Sequence, residues 1–180
     1  MFHLITGGSG SGKSAYAEEQ VLQAGAGKRI YIATMIPYGE DGRQRVDRHR
    51  KLRMEKQFET VECYTGLAKL ELPPNSIVLL ECMSNLTANE LFESNGAKEH
   101  TVEAVIQGVE HLLEQTTQLF VVTNEIFSDG ISYDPETQCY LKYLGQINQK
   151  LAELADQVTE VVYGIPVTIK GTRLSGNEKK

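Results

Sequence analysis

The chain has no tryptophan and only three cysteines in 180 residues. No apolar stretch reaches the roughly 18–20 residues that a membrane-spanning helix needs, so no membrane partner is expected. Cys63, Cys82 and Cys139 are widely spaced and odd in number. They suggest neither a disulfide framework nor a CxxC metal site, and a reducing cytoplasm is the expected compartment. Positive charge is also scarce, with 18 Lys and Arg against 24 Asp and Glu and a formal net charge of -6. That balance argues against a nucleic-acid partner, because phosphate contacts need many cations. A small phosphate ligand stays possible if the few cations are concentrated. The opening Met1–Thr6 has no basic segment and does not read as a signal peptide. What is present, 41% hydrophobic and 23% charged residues, suits a soluble globular protein. We expect one domain over 1–171 and a polar, frayed tail over 172–180.

Short apolar runs alternate with helical stretches, the pattern of a mostly parallel sheet. Strands are expected at Phe2–Thr6, Arg29–Ala33, Thr60–Cys63, Ile77–Cys82, Leu119–Thr123, Val158–Tyr163 and Val167–Lys170. Helices are expected at Lys13–Ala24, Gly42–Lys56, Val102–Glu114 and Glu136–Ala155. Ile77-Val78-Leu79-Leu80 is apolar throughout, as a central strand covered on both faces would be.

The strongest local signal is Gly7-Gly8-Ser9-Gly10-Ser11-Gly12-Lys13-Ser14, which fits GxxxxGK[ST] between a strand and a helix. Glycines let the backbone curl so that successive N–H groups face phosphate oxygens. The helix that follows adds its positive N-terminal end. Lys13 is expected to reach the β- and γ-phosphates, and the Ser14 hydroxyl to hold Mg²⁺. Glu81, at the tip of an apolar strand, is the candidate acidic partner of the ion. The plainer alternatives are a flexible glycine turn and a carboxylate making a local hydrogen bond.

Seven of the 18 cations fall in one short segment: Arg43, Arg45, Arg48, Arg50, Lys51, Arg53 and Lys56. On a helix, Arg45, His49 and Arg53 share a face. Nearby cations disfavour imidazolium, so His49 is a candidate neutral nucleophile beside a triphosphate. The residues alone fit a solvated charged helix with an incidental histidine equally well. His3, His100 and His111 lack such surroundings and read as structural or surface residues.

These motifs together resemble the bifunctional adenosylcobinamide kinase/adenosylcobinamide-phosphate guanylyltransferase family. The resemblance runs from Ile5 to Lys170. It rests on Thr6–Ser14, on Tyr31-Ile32-Ala33-Thr34, and on Arg45-Val46-Asp47-Arg48-His49-Arg50. Further matches are Glu62, Leu79-Leu80-Glu81-Cys82, a helix start at Thr87–Asn89, Val122-Thr123-Asn124-Glu125, Gly145–Val158 and Gly164–Lys170. It implies a RecA-like P-loop fold, usually a trimer. It also implies ATP- or GTP-dependent phosphorylation of adenosylcobinamide and GMP transfer from GTP through a guanylyl-histidine at His49. The resemblance places Gly7–Ser14, Ala33, Thr34, Met35, Arg50, Lys51, Leu52, Arg53, Glu62 and Glu81 at the nucleotide. Ile126–Lys142 departs from the family pattern: Gln138 replaces an expected arginine, and Tyr140-Leu141-Lys142 replaces F-R-D. Two other functions stay open on the sequence. One is a divergent relative with a single half-reaction or another acceptor. The other is a non-catalytic GTP-binding module.

Overall fold

Seven strands form a single sheet in the order β3-β2-β4-β5-β1-β6-β7. They are β1 Phe2–Thr6, β2 Arg29–Ala33, β3 Phe58–Glu62, β4 Ser76–Glu81, β5 Thr116–Val122, β6 Gln157–Val162 and β7 Ile165–Lys170. Every pairing is parallel except that of β7 with β6. The computed structural model describes residues 1–37, 39–40, 56–128 and 130–171. The expected helix over 42–56 lies outside these residues except for Lys56, as does the tail over 172–180.

The helices α1 Lys13–Gln23, α2 Met83–Phe92, α3 Thr101–Gln115 and α4 Pro135–Leu154 cover both faces. On one face, Ala17 and Val21 of α1 meet Ile5, Leu79, Phe120 and Val122. On the other, Leu86, Val105, Val109, Leu112, Leu144, Ile147 and Leu151 cover Leu4, Ile32, Val78, Leu80 and Val121. The helical residues recur every three or four positions, and the strand residues alternate between faces. Ile77–Leu80 is buried throughout, which explains its unbroken apolar run. Asp134 starts α4 by accepting the Glu136 and Thr137 N–H groups, each at 3.0 Å, ahead of Pro135.

Three expectations shift. β3 starts at Phe58 and leaves Cys63 beyond its end, though the Cys63 N–H still donates to Ala33 O at 3.0 Å. β5 starts at Thr116, because polar Thr116–Gln118 still pair along β4. Thr87–Asn89 lie inside α2 rather than at its start. There the Thr87 hydroxyl donates to Met83 O at 2.9 Å, so the residue is satisfied within the helix.

Two side chains of α2 tie down the loops after β2 and β3. Asn89 donates to Thr34 O and Tyr64 O. Glu90, 3% exposed, accepts the Gly66 and Ala97 N–H groups at 2.6 and 2.9 Å. Glu90→Ala would leave both donors unpaired and is expected to cost ~3 kcal/mol. A drop in Tm of about 6–12 °C by calorimetry would record it, with Glu90→Gln between the two.

His3 is fully buried and neutral: burial pushes its pKa down to about 4, and Nε2 shares a 2.8 Å hydrogen bond with Thr159. His100 is exposed, and His111 lies 3.6 Å from Glu71. All three are structural or surface residues, as expected.

Candidate active site

Parallel register sets the strand ends side by side. Glu62, Ala33 and Glu81 are neighbours on β3, β2 and β4, and Glu81 is opposite Val122 on β5. Val122 is in turn opposite Ile5, next to the end of β1. The loop leaving β1 and the Glu81 carboxylate therefore stand at one sheet edge, separated by a single strand.

The loop is built as its glycines require. A Cβ on Gly7 would lie 2.6 Å from both Ser11 Oγ and Val161 O, so no other residue fits there. The Ser11 N–H donates to Gly8 O at 3.2 Å and curls the chain. Helix α1 then begins at Lys13, and the N–H groups of its first turn have no partner within the helix. Lys13 is only 8% exposed, and its ammonium donates back to Gly8 O at 3.0 Å. Burial pushes the Lys13 pKa down, and the Glu81 carboxylate opposes that shift. A nearly buried cation beside the N–H groups of a helix start is an arrangement that suits an anion.

Ser14 and Glu81 meet directly. The Ser14 hydroxyl donates to Glu81 Oε1, and the Tyr31 phenol donates to Oε2 at 3.0 Å. The pair offers hard oxygen donors, which suit Mg²⁺. Among the described residues no group of three or more His, Cys, Asp or Glu could hold a metal. Glu81→Gln keeps the shape but removes the charge. It is expected to weaken the apparent Mg²⁺ affinity about 10–100-fold in a metal titration of nucleotide binding.

The other expected residues divide by position. Ala33, opposite Glu81, and Met35 are half-buried, and Glu62 is exposed with its carboxylate accepting the Tyr64 phenol at 2.9 Å. Thr34 is fully buried; its hydroxyl donates to Cys82 O and accepts the Cys82 N–H, each at 2.8 Å. It thus fixes the backbone just after Glu81. His49, Arg50, Lys51, Leu52 and Arg53 lie outside the described residues. Lys56, the last cation of the basic segment, is ion-paired with Glu18 of α1.

Sequence reading missed Tyr31 as a partner of Glu81. The available signal was a polar-tipped aromatic two residues before Ala33, on the same face of β2. It also missed how Val122–Glu125 joins the site. The Glu125 N–H donates to Gly7 O at 3.1 Å, and Asn124 donates to Ser84 Oγ. In the divergent segment, Gln138 donates to Tyr133 O at 2.6 Å and the Tyr140 phenol to Ser84 O at 3.3 Å. Burial pushes the Tyr140 pKa up to about 12.

The sequence matches the family model described as cobinamide kinase / cobinamide phosphate guanyltransferase over residues 3–169. It is 34% identical over 187 residues to the bifunctional adenosylcobalamin biosynthesis protein CobU of Escherichia coli K12, covering 94% of this chain and 100% of that protein. The CobU of Salmonella typhimurium is 33% identical with the same coverage. Among solved structures, a prototypical ATPase from the type III secretion system of pathogenic bacteria superposes with a TM-score of 0.51 at 12% identity. That match covers 88% of this chain and 51% of the ATPase, about half its length, and shows a shared fold alone.

Proposed function

Because this chain belongs to the cobinamide kinase / cobinamide phosphate guanyltransferase family, we propose that it performs both reactions at the edge formed by the glycine loop and Glu81. One is phosphorylation of adenosylcobinamide by ATP or GTP. The other is transfer of GMP from GTP to that phosphate, giving adenosylcobinamide-GDP. The enzyme is a transferase of cobalamin biosynthesis. The observation that carries the site assignment is the meeting of Ser14 and Glu81 one residue beyond the buried Lys13.

In the kinase reaction the loop N–H groups and Lys13 position the triphosphate and stabilise charge on its oxygens. The acceptor hydroxyl attacks the γ-phosphorus, the bond to the β-phosphate oxygen breaks, and the hydroxyl proton passes to solvent. Mg²⁺, held by Ser14 and Glu81, would neutralise phosphate charge when bound. In the transfer reaction a His49 ring nitrogen attacks the α-phosphorus of GTP, and pyrophosphate leaves against Lys13 and the basic segment. An oxygen of the corrinoid phosphate then attacks the phosphorus of the histidine-bound GMP, forming the diphosphate as the N–P bond breaks and the histidine is freed, so the transfer is ping-pong. On this reading Ala33, Thr34, Met35, Arg50–Arg53 and Glu62 border the nucleotide. The protein works in the cytoplasm as a homo-oligomer, a trimer by resemblance, with one domain over 1–171. Among the described residues no helix is long and apolar enough to cross a membrane.

The test is incubation with α-labelled GTP and Mg²⁺. An acid-labile, alkali-stable label on the protein that adenosylcobinamide phosphate discharges supports the proposal; absence of the label overturns it. The altered 126–142 region supports a second reading, in which the arginine contacts of the family are lost and the acceptor differs. That reading expects a normal adduct that adenosylcobinamide phosphate does not discharge.

A further inference from the structure

We propose that Tyr31 is a positioning residue that sets the metal selectivity of the site: by holding one oxygen of Glu81, it presents the carboxylate to the ion through the other and so favours Mg²⁺ over the larger Ca²⁺. The inference rests on the proposal above that Ser14 and Glu81 hold the ion of a nucleotide bound at the glycine loop. The register of the sheet brings the two residues together. Tyr31 lies opposite Leu79, and Ala33 lies opposite Glu81. Side chains two positions apart on neighbouring strands share a face, and an aromatic is long enough to span the diagonal between them. The Tyr31 phenol does so by donating to Glu81 Oε2 at 3.0 Å. The Ser14 hydroxyl donates to the other oxygen, Oε1.

The phenol is held firmly, and so is the carboxylate it meets. Tyr31 is 7% exposed, and its ring meets Phe58 edge-on, with centroids 6.2 Å apart and planes at 85°. A buried hydroxyl costs free energy unless it is hydrogen-bonded. Phe58 and Phe120 belong to the same apolar cluster, so the core on this face accepts aromatics that carry no hydroxyl. The hydroxyl at position 31 adds a donor to the carboxylate. The backbone around Glu81 is fixed as well. The Thr34 N–H donates to Glu81 O at 3.3 Å, and the Thr34 hydroxyl bonds to both the N–H and the carbonyl of Cys82.

The chemistry of the two ions turns this rigidity into selectivity. Mg²⁺ demands near-ideal octahedral geometry, whereas Ca²⁺ takes more oxygens in a looser arrangement, often both oxygens of one carboxylate. A carboxylate free to rotate can offer both of its oxygens to a large ion. Here a buried phenol on β2 holds Oε2, while Oε1 meets Ser14 of α1. Glu81 therefore offers one oxygen in a set direction. That suits the small, geometrically strict ion and denies Ca²⁺ the second oxygen.

The experiment titrates Mg²⁺ and Ca²⁺ separately into the full chain and reads nucleotide binding by calorimetry rather than turnover. The probe is a GTP analogue with a methylene bridge between the α- and β-phosphates, which the transfer reaction cannot cleave. Tyr31→Phe deletes one oxygen atom and keeps the ring against Phe58. It is expected to weaken the apparent Mg²⁺ affinity about ten-fold while Ca²⁺ affinity is retained or improves, so the preference for Mg²⁺ shrinks. In Glu81→Gln, which has no anionic oxygen to orient, adding Tyr31→Phe should change neither ion further. An equal loss for both ions, or none for Mg²⁺, would make the phenol a support of the core and overturn the proposal. So would a further loss in the Glu81→Gln background, because Tyr31 would then act through another group. If Glu81→Gln alone leaves the Mg²⁺ affinity unchanged, the metal-site reading fails, and the role of Tyr31 with it. If Glu81→Gln weakens Mg²⁺ while Tyr31→Phe preserves the ratio of the two ions, only the selectivity proposal falls.

Discussion

His49→Ala is expected to abolish the covalent label from α-labelled GTP while leaving phosphorylation of adenosylcobinamide measurable. The two reactions break different bonds of the nucleotide. Guanylyl transfer needs a nucleophile at the α-phosphorus, and an imidazole nitrogen is the group on this chain assigned to supply it. Phosphoryl transfer needs only that the γ-phosphate and the acceptor hydroxyl be held in line, so the loss of His49 removes no reacting atom from it. The measurement is a pair of assays on one preparation: acid-labile label per protein, and phosphate transfer from γ-labelled ATP. A label that survives His49→Ala removes the histidine from its role. Equal collapse of both activities would instead make it part of the common phosphate site.

Where the structure agrees with the sequence reading, the agreement has physical causes. Ile77–Leu80 read as a strand buried on both faces, because the run is short and apolar throughout, and the structure buries all four residues. The glycine loop was legible because its spacing imposes one backbone path, and Gly7 shows why: a side chain there would collide with Ser11 and Val161. Glu81 was legible as a carboxylate at the tip of such a strand. Its partners were not, since Tyr31 reaches it from another strand and Thr34 acts on the residue after it. Sequence spacing carries no signal for contacts set by the order of strands. The Thr87–Asn89 position misled because threonine and asparagine favour helix starts, yet here Thr87 bonds back to Met83 O within α2 and Asn89 reaches Thr34 O and Tyr64 O outside it.

Lys13→Ala is expected to lower both activities together, by about 10²–10³-fold in kcat, because both reactions develop charge on phosphate oxygens at the same loop. Its environment explains the size. The ammonium is nearly buried and donates to Gly8 O. Exchanging that carbonyl for a phosphate oxygen puts a full charge opposite a full charge in a place shielded from water. Burial pushes its pKa down, but the neighbouring Glu81 opposes this, which favours the cationic form needed for the task. Arginine would keep the charge, yet its planar fork does not reproduce the compact point charge of an ammonium, so Lys13→Arg should fail nearly as badly as alanine. Steady-state assays of both half-reactions would decide the matter. A fall in only one of them would mean that the two reactions do not share the loop, and the assignment of a single nucleotide site to both would be wrong.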